Sequence, residues 1–441
     1  MAISANTNIP TKYGFVEARE LKVGDIVYDI DGHETEVIQC KEIDIPITIN
    51  INFGRNTRLT VSPLQIMAGY VSTRYEDRLQ EKLVEFLPAI HMFDMATTGR
   101  NMRFPLVTVI GSGRFNIDPW LFGFWLGDGS KRNTSLATSI DDIEDIKANI
   151  IQRGYEIGAI RYDKRANMKG VSVNVVGGFK QQLRQIGVIM NKHIPSFFYG
   201  LSKDYRLEMM QGLIDSDGTI DRQRGRVIFT NTNYDLAIGC ARLASSLGEL
   251  VSIYPQEGFG FGKGVQFYNV IWTPQNVPVL LPRKRRKVRI RQVLEHRTTH
   301  NISLNFCDSG HTRGYDVKTK AGTMIITDFY IPIGTGVRPE INGETANKIL
   351  KEHCTKRIFS NDKQELENAV NTVSPIPYRI QKVRKRHWNN AKQKKHIIID
   401  GRLYKGIISA AKVVGCSCHT IERAIKKGSG EVWGHSIGLK D

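Results

Sequence analysis

The hydrophobic pattern of this chain is dominated by two short apolar stretches that end alike. The first is Leu121-Phe122-Gly123-Phe124-Trp125-Leu126-Gly127-Asp128-Gly129, and the second is Met210-Gln211-Gly212-Leu213-Ile214-Asp215-Ser216-Asp217-Gly218. Each predicts a helix closing on Asp-Gly. Each carries two small residues four apart, Gly123 and Gly127 in one and Gly212 and Ser216 in the other. Positions i and i+4 share a helix face, so small residues there let two backbones approach closely. Asp118-Pro119 offers an N-cap and an N1 proline for the first helix, and Ser202 or Asp204 can cap the second.

The chain downstream of each stretch is also alike. A strand-like run at 135–138 leads to an amphipathic helix at about 140–152, closed by Gly154. After the second stretch, residues 226–230 alternate as a strand does, and a helix over about 234–247 ends at Gly248. One order of elements therefore occurs twice. Such a pseudo-twofold duplication suits a partner with near-twofold symmetry, and duplex DNA is one. Upstream, residues 2–106 read as short strands separated by turns.

The chemistry of the two helix ends points away from a purely structural role. A helix C-terminus carries partial negative charge, so an aspartate there is unfavourable, and two side by side repel. A site that gathers divalent cations has a use for them, because hard cations take oxygen ligands. The charge balance adds to this. Lys and Arg number 62 against 44 Asp and Glu, a net +18, which favours a polyanionic partner. Six scattered cysteines exclude a disulfide framework, and Cys416 and Cys418 lack the second pair of a zinc site. No apolar run approaches membrane-spanning length, and an intracellular protein is expected.

The paired stretches resemble the two motifs of single-chain LAGLIDADG homing endonucleases. The resemblance makes Asp128 and Asp217 the metal-binding catalytic acids, with Gly127 and Ser216 beside them in the metal set, and Mg2+ or Mn2+ as the ion. Asp215 matches the motif's first aspartate, a structural position, where the first copy has Leu126. Lys192, in Asn191-Lys192-His193-Ile194-Pro195, resembles a block that closes the first half in intein-borne relatives. It lies 64 residues past Asp128, and Lys284 lies 67 past Asp217. Both are candidate catalytic lysines, although Arg283 or Lys287 can fill the second place. The family's strands form a saddle over the major groove, which assigns Lys131, Arg132, Asn133, Arg222, Gln223, Arg224 and Arg226 to DNA binding.

The flanks resemble a degenerate Hint (intein) domain, in 18–32, 58–63, 314–317 and 325–333. Splicing chemistry is missing from it. Ala2 stands in place of the nucleophile, Pro63 in place of a histidine, and no terminal His-Asn pair is present. Beyond residue 337, helices are expected at 345–354 and 362–370. A basic run at 378–396 includes Arg384 and Arg386. A small unit after it resembles the intron-encoded nuclease repeat, with helix-turn-helix spacing and His419, Thr420, Arg423 and Lys426 facing outward.

The expected fold is α+β and multidomain, with a duplicated αββαββα core inserted in a mostly-β Hint-like domain and a C-terminal helix-turn-helix module. The expected segments are 1–108 and 294–336 for the Hint halves, and 109–200 and 201–293 for the repeats. A helical region with the basic linker fills 337–396, and the DNA-binding module fills 397–441. The function implied is sequence-specific double-strand cleavage by a monomer on a long pseudo-symmetric DNA site, without splicing, from a phage or other mobile element in a bacterial host. A non-cleaving maturase or repressor, or a splicing-competent intein, is the alternative.

Overall fold

The structure is a computed structural model. It describes residues 2–45, 48–53, 58–75, 78–89, 102–104, 106–163, 169–260, 263–290, 302–307, 312–327, 329–335, 396–400, 402–405, 431–432 and 435–440. Two compact units are present, Met1–Gln381 and Lys382–Asp441.

The first unit is built on two helices. Helix α1 spans Pro119–Asp128. Its start is fixed locally: Asp118 Oδ1 accepts from Leu121 N at 2.7 Å, and Pro119 occupies N1 with the φ that a helix needs. Every residue from Pro119 to Leu126 is buried, so this helix is a core element on all sides. Ser202 rather than Asp204 caps the second motif helix, Lys203–Asp217. Between the two lie α2 (Ile143–Gln152) and α3 (Phe179–Ile186), which makes the second motif helix α4. Tyr234–Ser246 forms α5, and Pro282–Arg285 is a single turn, α6.

Helices α1 and α4 touch backbone to backbone at the expected glycines. A Cβ on Gly123 would stand 2.9 Å from Leu213 N and closer still to the Met209 carbonyl. One on Gly212 would stand 2.8 Å from Phe124 N and closer still to the Trp120 carbonyl. Only glycine permits this approach at either place.

Each motif helix feeds an antiparallel sheet. The first sheet has the strand order 135–139, 170–176, 156–162. The second runs 218–220, 227–231, 263–272, 252–260. A bridge from Gly129 to Leu136 stands in the first where strand 218–220 stands in the second. One continuous core unites these sheets with helices α1 to α5.

One local expectation needs correction. Helix α2 begins at Ile143, not near 140. Ser139 Oγ accepts from Asp141 N and Ile140 N donates to Lys169 O, so these residues stay with the sheet before the helix starts. Both motif helices close on Asp-Gly as expected; Gly129 and Gly218 are extended, at φ −76° and −91°, and carry the chain straight into a strand or bridge. Gly154 and Gly248 adopt the left-handed conformation, at φ +80° and +82°.

The chain segments on either side of this core fold together. One sheet orders strands 302–307, 48–53, 58–61, 3–4, 312–319, 34–45 and 26–28. Ile3 pairs with Tyr315 and Ile302 with Phe53, so strands from both flanks interleave. A second sheet joins 102–103, 66–75 (with 78–88 paired to it), 331–334 and 323–326. Their own buried cluster includes Ile3, Val37, Ile51, Val61, Met324 and Ile333.

Arg206 of α4 ties the helix core to a smaller buried cluster of Tyr28, Val107, Val109, Ile325 and Tyr330. It is fully buried, and its guanidinium donates to the carbonyls of Leu201 (2.9 Å), Ser246 (2.8 Å) and Val109. In the second unit, strands 402–405, 396–399, 435–440 and 431–432 make a small antiparallel sheet. The helices expected at 345–354 and 362–370, the basic run with Arg384 and Arg386, and His419, Thr420, Arg423 and Lys426 lie outside the described residues. Among the described residues no helix is long and apolar enough to cross a membrane.

Candidate functional site

The parallel ends of α1 and α4 bring Asp128 and Asp217 together. A Cβ on Gly127 would lie 3.0 Å from Asp217 Cβ and 2.9 Å from Ser216 Cβ, which measures how closely the two ends abut. Burial raises both carboxyl pKa values from the ordinary aspartate range. Asp217 is pushed to about 6, by burial first and by the charge of Asp128 second. Asp217 therefore sits where a second negative charge is already unwelcome, while Lys284 and Lys192 ease the charge on Asp128.

Two lysines face these acids. Lys192 Nζ donates to the carbonyls of Gly127 (3.0 Å) and Gly129 and lies over the Trp125 ring, 5.2 Å from its centre. Lys284 is more deeply held. Its Nζ lies 2.8, 2.6, 3.0 and 2.7 Å from the carbonyl oxygens of Ile214, Asp215, Ser216 and Gly218. Each ammonium thus occupies the negative end of its own motif helix. Burial pulls both lysines down to about 8, against the opposing pull of the aspartates. Of the basic run, Lys284 is the side chain that reaches the end of the second motif helix. Arg283 instead pairs with Asp142 at 2.6 Å, and Lys287 is not drawn into this cluster.

Hard carboxylate oxygens, doubled and partly desolvated, fit a divalent cation. The Gly127 and Ser216 carbonyls are already accepting from Lys192 and Lys284, so each has one lone pair left to offer. Asp215 is engaged elsewhere. Its carboxylate accepts from Trp120 Nε1 at 2.9 Å and from the backbone N–H groups of Leu280 and Leu281. It anchors the segment that delivers Lys284. Leu126, its counterpart, is buried among apolar side chains.

One site residue escaped the sequence. Asn231 Nδ2 donates to Asp217 Oδ2 at 3.0 Å. An asparagine at a strand end next to a helix cap was the only signal, and it equally marks a turn. The corresponding turn in the first half is built on Ser139, whose Oγ accepts from Asp141 N as Asn231 Oδ1 accepts from Asn233 N. Among the described residues, one other group of metal-ligand types gathers, Asp29, Asp31 and His33. There Asp29 Oδ1 accepts from the backbone N–H of Asp31 and His33, which accounts for the cluster as a turn.

Lys131, Arg132 and Asn133 are exposed in the turn after α1, and Arg222, Gln223 and Arg224 in the turn after strand 218–220. Arg226 is half-buried, 3.7 Å from Asp221. Across the second sheet a polar row, Thr230, Asn269 and Gln256, is hydrogen-bonded in series on an exposed face. These three were not singled out from the sequence, because polar residues at alternate strand positions mark any solvated face.

Known proteins share parts of this chain. Residues 204–270 match the LAGLIDADG-like domain family. A replicative DNA helicase DnaB from Mycobacterium intracellulare is 28% identical over 268 residues, 56% of this chain and 42% of that protein. A DNA polymerase from Thermococcus sp. (strain GE8) is 25% identical over 223 residues, 46% of this chain and 13% of the polymerase. The chain therefore matches less than half the length of either. A mesophilic variant of the homing endonuclease I-DmoI aligns with 38% of this chain and 85% of its own, at 15% identity and a TM-score of 0.25. A second I-DmoI variant, in complex with its target DNA, aligns at the same score and 13% identity, over 35% of this chain and 87% of its own. Likeness of that degree fixes nothing about this chain.

Proposed function

We propose, on the premise that this chain is a LAGLIDADG-family protein through its domain at 204–270, that it is a sequence-specific endonuclease of double-stranded DNA. The reading rests on one observation above the others: two half-buried carboxylates are presented side by side at the ends of touching helices, with a lysine at each.

Asp128 and Asp217 would hold the divalent ions. Bound there, such ions polarise a phosphate and lower the pKa of a coordinated water, the chemistry of phosphodiester hydrolysis. Lys192 and Lys284 place positive charge where charge builds up on a phosphate in the transition state. Asn231 fixes one Asp217 oxygen and leaves the other to a ligand. The two sheets, each fed by a motif helix, carry Lys131, Arg132, Asn133, Arg222, Gln223 and Arg224 outward for base and phosphate contacts.

The flanking β unit is a degenerate Hint domain in this reading, and it does not splice. Strands from both flanks interleave in one sheet, as an insertion requires. Ala2 is buried, its N–H donating to Ser62 Oγ at 3.1 Å, and has no nucleophilic atom to offer. Partial matches to a helicase and a polymerase are what a mobile insert carried by host proteins would give. The C-terminal module is assigned to DNA binding through His419, Thr420, Arg423 and Lys426, and the basic run through Arg384 and Arg386.

Incubation with a randomised plasmid library, with and without magnesium, tests the proposal. Magnesium-dependent ends at one recurrent sequence are expected. Tight binding to one sequence without cutting would favour a maturase or repressor instead, and a shortened mass of the expressed chain would reinstate splicing.

A further inference from the structure

Two hydrogen-bonding arrangements connect the halves of the core in the same crosswise sense. Asp142 occupies the N-cap position of α2, in the first half, yet its side chain makes no hydrogen bond to that helix. Its carboxylate, almost wholly buried, instead grips Arg283 of the second half. Oδ1 accepts from Nε at 2.8 Å, and Oδ2 accepts from Nη2 at 2.6 Å. Arg283 immediately precedes Lys284. The N-cap of α5, in the second half, is Asn233. Its Oδ1 does cap the helix, accepting from Asp235 N and Leu236 N. Its Nδ2 reaches the first half and donates to the carbonyl of Lys192 itself at 2.9 Å.

We infer that Asp142 and Asn233 are positioning residues wired crosswise, so that the helix cap of each half sets the lysine of the other. This rests on the nuclease reading and adds to it. A bidentate arginine–carboxylate pair fixes orientation as well as distance, and it fixes the turn from which Lys284 projects. The amide of Asn233 does the same for the backbone of Lys192. Damage to one cap therefore registers at the lysine of the opposite half. The two strand cuts are then separable by mutations far from the DNA.

The test measures strand-resolved nicking of a supercoiled plasmid bearing a selected target site, with magnesium, for the full chain and three variants. Asn233→Asp keeps the oxygen that caps α5 but sets a carboxylate oxygen against the Lys192 carbonyl. Asp142→Ala frees Arg283. Each is expected to slow one strand by about tenfold or more, as displacements of about 1 Å in an active site do. The strands differ, so the ratio of the two rates moves in opposite directions. A merely structural loss would slow both strands together and leave the ratio where it was. Asp142→Arg combined with Arg283→Asp rebuilds the pair in reverse and is expected to restore the ratio, which also covers the case in which Asp142→Ala fails to fold. An unchanged ratio in folded variants, shifts in the same direction, or no recovery in the exchanged pair overturns the inference. If the unaltered protein cuts the site normally while these results appear, the nuclease reading stands without it. If the unaltered protein cuts nothing, both fall.

Discussion

Replacing Gly212 with alanine sets two effects of opposite sign against each other. In an open helix, glycine to alanine is worth about 1 kcal/mol of added stability. Here the new methyl would stand 2.8 Å from Phe124 N and closer still to the Trp120 carbonyl, where ordinary contact begins at 3.4 Å. The opposing atoms are backbone, so no side chain can swing aside, and α1 and α4 must part by at least about 0.6 Å. Overpacking of this kind costs about 1–3 kcal/mol, with a backbone obstacle at the upper end. The net expectation is a loss of about 2 kcal/mol. A unit of this size should then melt roughly 4–8 °C lower. Trp120 and Trp125, both in α1, supply a fluorescence signal for the transition. The parting also moves Asp128 from Asp217, so cleavage should fall by up to about 100-fold. An alanine variant that melts at or above the parent temperature would refute the argument from close packing.

The same geometry gives three further outcomes. Asp217 has a folded pKa of about 6, above the ordinary 3.8, so its protonated form favours the folded state. That contribution is present below the unfolded value and lost as pH rises through about 6. Metal-free protein should therefore lose on the order of 2 kcal/mol from this group between about pH 4 and pH 7. Melting in chelator across that range should show a flatter profile for Asp217→Asn, and an identical profile would contradict the assignment. Lys284→Ala should cost roughly 2 kcal/mol more than Lys192→Ala in chemical denaturation, because Lys284 serves four carbonyls and Lys192 two. Equal losses would argue against the difference. Arg206→Ala should destabilise by about 3 kcal/mol or more, since the two buried clusters it joins lose its hydrogen bonds and the Val109 carbonyl loses its donor. A loss within experimental error would dismiss it as the tie between them.

Short-range rules made part of this molecule legible in its sequence. Asp118-Pro119, the small residues four apart and the closing Asp-Gly pairs each specify a local geometry, and α1 and α4 obey them closely. Near-equal offsets also single out Lys192 and Lys284, although the basic run blurs the second until its carbonyl partners are seen. The hidden features depend on residues that meet over long range. Arg206 reads as one more arginine until Val109 and Ser246 converge on it. Asp142 reads as a plain helix cap, and nothing near it announces Arg283, 141 residues away. The interleaving of flanking strands is invisible for the same reason, since Ile3 finds Tyr315 only in the folded chain. Even the start of α2 is shifted by a hydrogen bond from Ile140 to Lys169, between strands that pair across an intervening helix and strand.

The most direct measurement compares the parent chain with a double Asp128→Asn, Asp217→Asn variant on a selected target plasmid, titrating magnesium. The asparagines preserve shape and remove both charges. The parent should linearise the plasmid only when magnesium is present, while the folded variant binds the same DNA and leaves it uncut at every concentration. Linearisation by the double variant at the parent's rate would contradict the claim that these two carboxylates carry the chemistry.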